Sequence, residues 1–159
     1  MKCVYFVLTI LVLLLNSCLN SMQEFNRSLK DFVGEWQLTQ MTYTNEKGEH
    51  IDVEKISSTI VFRDIKVSDV ESNRDREGTL FINDDSISFR YNLTPESNKI
   101  NLHVHQDSLI DKPIYAIGKV NQYNYEMIDK NELIFNVDAE YVYPTNEKLT
   151  NPVYVFERK

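Results

Sequence analysis

Apolar and polar residues alternate along most of this chain of 159 residues, and the alternation leaves little room for helices. The clearest run covers residues 87–93, where Ile, Phe, Tyr and Leu alternate with Ser, Arg and Asn. Residues 100–105 and 133–141 repeat the pattern. Because successive side chains of a strand point to opposite faces, a period of two indicates strands that bury one face. We therefore predict a fold made mainly of antiparallel strands.

Short polar segments separate the predicted strands and set their number. Residues 45–50, 94–98 and 129–132 have turn composition, and residues 66–78 are rich in charge and predict a long solvated loop. The alternation changes parity near residues 39–40, which predicts a β-bulge. About eight to nine strands result. Their spacing favours an all-β fold, either a sandwich or an up-and-down antiparallel barrel, and closing the barrel removes exposed edges.

A short helical turn precedes the first predicted strand. Phe25, Leu29, Phe32 and Val33 recur at helical spacing and share one face. Gly34 follows this stripe, and a glycine at that position can end a helix in the left-handed conformation. The sequence therefore predicts a short N-terminal helix that ends where the strands begin.

Charge and motif content exclude several classes of function. Asp and Glu number 24 against 17 Lys and Arg, a formal net charge of −7, so we expect no nucleic-acid partner. The chain has no Gly-x-Ser-x-Gly nucleophile motif and no glycine series of the phosphate-binding type. We predict no catalytic residue, no enzyme activity and no cofactor, although the many carboxylates leave a glycosidase pair open.

The first eighteen residues have the layout of an export signal. Lys2 precedes a charge-free run over residues 4–15, and these twelve residues are fewer than the roughly 20 that a membrane-spanning helix needs. Cys18 ends the sequence Leu-Asn-Ser-Cys that follows, which resembles the lipobox of bacterial lipoproteins. The alternative is an ordinary signal peptide that is cleaved at another position.

The lipobox resemblance implies a lipid anchor. Cleavage before Cys18 would remove residues 1–17 as a signal peptide and leave residues 18–24 as the lipidated cysteine and a tether. A diacylglyceryl group and an amide-linked chain such as palmitate would then hold the protein to the membrane more firmly than one chain can. Leu19, in place of an Asp, favours the outer membrane of a Gram-negative cell envelope. Cys3 would leave with the signal, so the mature chain could form no internal disulfide.

Two short segments resemble the lipocalin family. Residues 32–38, Phe-Val-Gly-Glu-Trp-Gln-Leu, resemble the Gly-x-Trp opening of lipocalins, in which a helical turn closes one end of the barrel and the first strand begins at the Trp. Residues 154–158 resemble the closing strand of bacterial lipocalin-like lipoprotein domains. The resemblance implies a calycin-type β-barrel over residues 25–159.

The same resemblance implies structural roles for three residues. Gly34 and Trp36 would open the first strand, and Arg158 would cover the indole of Trp36 from the last strand. A guanidinium over an indole face gains cation–π attraction of about 0.5–1 kcal/mol when exposed. The contact would tie the end of the barrel sheet to its beginning.

The apolar faces of the predicted strands would line the barrel interior. The interior residues that we name as candidate contacts of a ligand are Phe89, Tyr91, Leu102, Phe135 and Tyr154. A small apolar or amphiphilic molecule would be bound there by removal of apolar surface from water. In the alternative, side chains fill the interior and the protein acts through its surface as an inhibitor, an adhesin or a subunit of an envelope complex. Loop 66–78 would then be the candidate contact.

His103 and His105 are the sharpest local candidates for metal binding. Alternate residues of one strand lie on the same face about 7 Å apart, so the two imidazoles could chelate a transition metal with Asp107 as a third ligand. A metal-assisted enzyme would follow from that arrangement. However, Leu102 and Val104 occupy the opposite face, which should be the core. We therefore expect the histidines to face solvent and predict no metal site.

Overall fold

The computed structural model describes residues 19–45, 47–53, 57–68, 74–83, 85–109, 117–118, 121–137, 140–142 and 148–159. The predicted signal peptide, the lipid site at Cys18 and residues 69–73 of the predicted loop lie outside these residues. Helix α1 spans residues 19–32. The strands are β1 (Gly34–Thr44), β2 (His50–Asp52), β3 (Ser58–Lys66), β4 (Arg76–Ile82), β5 (Asp85–Thr94), β6 (Lys99–Val104), β7 (Gln122–Met127), β8 (Glu132–Asn136), β9 (Glu140–Val142) and β10 (Lys148–Arg158).

Eight of these strands form a closed barrel. In the order β1, β3, β4, β5, β6, β7, β8 and β10, each strand is hydrogen-bonded to the next, and β10 pairs back onto β1. All pairings are antiparallel, and the two three-residue strands lie beside the ring, β2 on β1 and β9 on β10. Apart from those two, neighbours in the sheet are neighbours along the chain. The predicted all-β, up-and-down antiparallel barrel with a short N-terminal helix is confirmed.

The two ends of the barrel differ. We call the end that carries α1 the helix end. Trp36 of β1 pairs with Arg158 of β10 there, and Gly34 pairs with Phe62 of β3. The register of β1 against β10 shifts between Leu38 and Gln40, which is the predicted bulge. The register therefore places the N- and C-terminal segments of the barrel side by side.

Helix α1 closes the helix end with one apolar face. Phe25, Leu29 and Phe32 are at most 2% exposed and face the barrel. The helix is longer than the predicted turn, because residues 19–24, which we expected to be a tether, are helical. Gly34 follows the helix with a positive φ of 149°, a conformation that favours glycine, although it adopts this conformation as the first residue of β1.

The predicted loop over residues 66–78 was wrong in its last part. Arg76 and Gly78 are inward-facing residues of β4, where they alternate with exposed Glu77. Neither inward residue is hydrophobic, so the period of two is invisible in the sequence at this point. The predicted strand over residues 133–141 is also divided, since β8 ends at Asn136 and β9 starts at Glu140.

Candidate functional site

The barrel interior is the first place where a ligand would be sought. All five predicted contacts lie in the core with exposures of 4% or less: Phe89, Tyr91, Leu102, Phe135 and Tyr154. Their burial follows from the alternation of β5, β6, β8 and β10, in which every second residue faces inward. A role of these side chains in ligand contact stays a prediction.

Aromatic rings meet across the interior near the helix end. The ring centre of Phe62 lies 4.9 Å from that of Tyr91, 5.5 Å from that of Phe32 and 6.3 Å from that of Phe135. These rings come from β3, β5, α1 and β8, so they connect different sides of the barrel. Ring pairs at 4.5–7 Å gain favourable edge and stacking contacts. Side chains of the described residues therefore fill this section of the barrel.

A paired cation is also buried in the interior. The Arg76 side chain is 5% exposed, and its Nε donates to Asp64 Oδ1 at 2.8 Å. Its guanidinium lies 5.2 Å from the ring centre of Phe25. The nearby Tyr91 hydroxyl donates to the carbonyl of Arg63 at 3.0 Å, and burial raises the pKa of Tyr91 far above its ordinary value, although the charge of Arg76 acts in the opposite direction. These polar groups are satisfied within the protein, as a packed interior requires.

Arg158 joins the last strand to the first at the helix end. Its guanidinium carbon lies 4.3 Å from the ring centre of Trp36, whose Nε1 donates to the carbonyl of Phe32 at 2.9 Å. Arg158 Nη1 donates to the carbonyl of Val33 at 3.0 Å, and Nε donates to the carbonyl of Lys130 at 2.6 Å. The guanidinium is therefore held by backbone acceptors on one side and an indole face on the other.

Gly34 makes room for this arrangement. A Cβ at Gly34 would lie 2.8 Å from Arg158 Nη1, so a larger residue would push the guanidinium away. The structure thus combines an up-and-down ring of eight strands with a helix across one end. The arginine of the last strand covers the tryptophan of the first. The barrel is lipocalin-like.

Comparisons with known proteins add one structural likeness. A scan against protein-family models and a search of curated proteins found no match. Among solved structures, the chain is similar to a lipocalin-like protein from Bacteroides uniformis ATCC 8492, with 15% sequence identity and a TM-score of 0.46. The similarity covers 81% of this chain and 99% of that one. The topology and contacts of this chain itself carry the description of the barrel as lipocalin-like.

A groove crosses the outer wall of the lipocalin-like barrel. It has a volume of about 630 Å³, opens to solvent and runs over strands β3 to β6. The polar side chains that define it are Arg63, Glu77, Thr79, Ser88, Arg90 and His103. Glu77, Ser88, Arg90 and His103 are the exposed members of their strands and alternate with buried neighbours, so the groove is external. It is separate from the aromatic interior.

The groove carries more positive than negative charge. Register places Arg90 between Glu77 of β4 and His103 of β6. Arg63 Nη1 donates to the Thr79 hydroxyl at 2.6 Å, which holds the guanidinium along the groove wall. Two arginines thus stand against one glutamate, on a chain whose formal net charge is −7. An anionic group is the ligand feature that this lining favours.

The floor of the groove is backed by the core. Phe89 and Val104 border it and are 4% and 7% exposed, and Val67 adds apolar surface at its edge. Phe89 packs on Gly78 so closely that a Cβ at Gly78 would lie 2.2 Å from the Phe89 ring. Of the five predicted ligand contacts, Phe89 borders this groove, whereas Tyr91 and the others do not line it.

The two histidines face solvent at the groove and form no metal cluster there. His105 Nδ1 lies 3.7 Å from Asp107 Oδ2, with both side chains about four-fifths exposed at 78% and 80%. His103 lies beside Arg90 in the register. Within the described ranges, no three side chains of the His, Cys, Asp or Glu type converge to hold a metal ion. In the same ranges, no helix has both the length and the apolarity to cross a bilayer.

Sequence reasoning missed the arginines of the groove. Arg90 belongs to the polar face of a strand that was recognised, so its outward direction could be predicted. Its neighbours could not, because the approach of Arg63, Glu77 and His103 depends on the registers of four strands. The missing signal is cross-strand pairing rather than residue type.

Proposed function

We propose that this chain is a lipid-anchored lipoprotein of the cell envelope whose lipocalin-like barrel binds a small amphiphilic ligand in the outer groove. The observation that carries the binding part is the groove of about 630 Å³ with two arginines in its lining. Pockets of roughly 300–1,000 Å³ are typical for small-molecule ligands. The groove therefore offers enough space for a molecule with an anionic head group and a short apolar part.

The charge of the groove supports an anionic head group. Arg63 and Arg90 present guanidinium donors, which bind carboxylate or phosphate oxygens in pairs. The hydroxyls of Thr79 and Ser88 also line the groove and can donate further hydrogen bonds. Val67 and the edges of Phe89 and Val104 leave apolar surface for the remainder of the molecule.

The filled section of the interior near the helix end favours a ligand site on the outer wall over one inside the barrel. Phe62 contacts Phe32, Tyr91 and Phe135 across the barrel interior near the helix end, so side chains already fill this section. Moving these rings out of the interior would expose apolar surface to water, which costs about 25 cal/mol of free energy for each Å². The interior residues that the sequence singled out then act as core, and the ligand uses the groove.

A fluorescent amphiphile tests the binding part. We expect 11-(dansylamino)undecanoic acid to bind the protein with an increase of dansyl fluorescence, and Arg90→Gln to weaken its affinity by about tenfold, since a charge-assisted hydrogen bond contributes about 1.5–3 kcal/mol. Arg27→Gln is the matched control, because Arg27 is an exposed arginine of α1, away from the groove. Equal affinities of the two variants would reject the groove as the site.

The anchor rests on the sequence and has its own test. Cys18 directly precedes the first described residue of α1, and it follows an apolar run with signal-peptide layout. We expect the N-terminal peptide of the protein from bacterial membranes to begin at Cys18 and to carry the mass of three acyl chains. The Cys18→Ser variant should lack this mass and leave the membrane fraction. An unmodified N-terminus in the wild type would contradict the anchor.

A second candidate function follows from the packed interior alone. A filled barrel can serve as a rigid scaffold that presents its outer wall to a protein, as an inhibitor, an adhesin or a subunit of an envelope complex. A photo-crosslinking residue in place of Ser88 would then yield one defined protein adduct in cells, and Arg90→Gln would remove it. Failure of the amphiphile to bind, together with such an adduct, would favour this function over the first.

A further inference from the structure

Exposed large apolar side chains are concentrated at the helix end of the barrel. Leu19 and Met22 of α1 are 59% and 38% exposed, Ile65 near the end of β3 is 48% exposed, and Ile128 after β7 is 51% exposed. Phe81, at 39%, lies in β4 toward the opposite end, where it pairs with Thr59. Single exposed apolar residues are ordinary, but a concentration at one end indicates a contact surface.

The apolar stripe of α1 extends beyond the barrel. Leu19, Met22, Phe25, Leu29 and Phe32 follow one another at steps of three or four residues, so they share one helix face. The last three are at most 2% exposed because the barrel covers them, whereas the first two are exposed. The face that packs on the barrel therefore continues toward the N-terminus as partly exposed apolar surface at Leu19 and Met22.

Contacts of α1 fix the point where it leaves the barrel. Phe25 is covered by the guanidinium groups of Arg74 and Arg76, at 5.6 and 5.2 Å from its ring centre. Four residues earlier, the Ser21 hydroxyl donates to Glu96 Oε1 at 2.6 Å. Ser21 thus marks the rim, and Leu19 lies on the far side of it. The N-terminal residues 19–22 of α1, which we call the overhang, are therefore held against the barrel by the hydrogen bond of Ser21.

Ile65 and Ile128 lie at the same end as the overhang. Asp64, next to Ile65, is bound by Arg76, which also covers Phe25 of the helix. Ile128 belongs to the turn between β7 and β8, and its N–H donates to the carbonyl of Glu132 at 3.1 Å. The neighbouring Asn131 carbonyl accepts from the N–H of Arg158, the residue that marks the helix end.

We propose that the helix end lies against a lipid surface, with Leu19, Met22, Ile65 and Ile128 in contact with the bilayer interface. The inference rests on the proposed lipid anchor at Cys18. Leu19 follows that cysteine directly, and Met22 is one helical turn further, about 5 Å along the axis. Acyl chains on Cys18 would therefore bring the exposed part of the stripe to the membrane, and lipid is the occupant that covers it.

This orientation has a consequence for the groove. A barrel that stands on its helix end turns its opposite end, with Phe81, into water. The outer wall that carries Arg90 then faces sideways and remains open to solutes. Because α1 is packed on the barrel, the orientation would be set by the fold and not by a flexible linker.

The test compares two labelled positions in the acylated protein. Ile128→Cys and Phe81→Cys are each labelled with the fluorophore NBD, since acylation blocks the thiol of Cys18 and cleavage removes Cys3. In phosphatidylcholine vesicles we expect the NBD fluorescence at position 128 to shift to shorter wavelength and to be quenched by brominated lipids. The NBD fluorescence at position 81 should not be quenched. Adding Leu19→Ser and Met22→Ser to the first variant should reduce the quenching at least twofold, with an unchanged circular dichroism spectrum.

Flotation with the vesicles separates the two ways in which the proposal can fail. Protein that floats while both labels remain in water contradicts the orientation and leaves the anchor intact. Protein that does not float contradicts the anchor at Cys18 and the orientation with it. Equal quenching at both positions would show that the barrel has no preferred face toward the lipid.

Discussion

Single residues at two positions carry contacts that no neighbour can replace. Arg158 stacks on Trp36 and donates to backbone carbonyls of Val33 and Lys130, so it joins the last strand, the first strand and a turn. Gly78 lies under the ring of Phe89 in the core. At both positions the local geometry requires this particular residue, and another residue of the same class would not fit. Each position yields a prediction.

Replacing the guanidinium of Arg158 should destabilise the barrel. Arg158→Lys keeps the charge but loses the planar fork, so one ammonium cannot both cover Trp36 and bond two carbonyls. We expect the free energy of unfolding to fall by about 1–2 kcal/mol in urea titrations. The control is Arg90→Lys on the exposed wall, for which the change should stay within about 0.5 kcal/mol. Equal losses would mean that the stacked contact contributes nothing particular.

A methyl group at Gly78 should overpack the core. The added Cβ would lie 2.2 Å from the Phe89 ring, and that ring is confined by Phe62 at 5.9 Å between ring centres. We expect Gly78→Ala to lower the free energy of unfolding by about 1–3 kcal/mol. Phe89→Leu in the same chain should recover part of this loss, because leucine leaves room for the methyl group. A double variant no more stable than the additive sum would contradict the clash.

At the scale of elements, helix α1 and most of strand β4 were predictable, whereas the first two residues of β4 were not. The spacing of Phe25, Leu29 and Phe32 is a local signal, and the core bears it out. Residues 78–82 have the pattern of a strand, but the first inward residue of β4 is Arg76, so local patterning begins this strand two residues late. The burial of Arg76 depends on Asp64 and Phe25, which are distant in sequence, and no local pattern encodes such a partner.

The attachment of α1 to the barrel should weaken in acid. The hydrogen bond from Ser21, followed by other hydrogen bonds and Arg74, lowers the pKa of Glu96 below its ordinary 4.5. A lowered folded-state pKa stabilises the fold above the ordinary value and loses this effect as the pH falls through the folded-state value.

We therefore expect the difference in melting temperature between the wild type and Glu96→Gln to be largest at neutral pH and to shrink below pH 4.5. Ser21→Ala removes the donor and should flatten most of this dependence, which circular dichroism melts at several pH values can measure. A difference that stays constant from pH 7 to pH 3 would show that the Glu96 carboxylate does not hold the helix.

On the scale of the whole molecule, the sequence predicts the barrel better than the site. Alternation and turns indicate an up-and-down barrel because each strand carries its own period of two, and the Trp36–Arg158 contact follows from the family resemblance. The groove depends on Arg63, Arg90 and His103, which only the pairing of separate strands brings together. The predicted ligand residues are thus core positions that local alternation can recognise, whereas the groove requires the assembled sheet.

The claim that a ligand binds outside a packed barrel is tested most directly by an NMR titration. The amide and side-chain signals of the isotope-labelled protein are followed while 11-(dansylamino)undecanoic acid is added. We predict shifts at Thr79, Ser88, Arg90 and His103, with the ring signals of Phe135 unchanged. Shifts that concentrate on Phe135 and the other interior rings, with the groove residues unaffected, would contradict the account and return the ligand to the inside of the barrel.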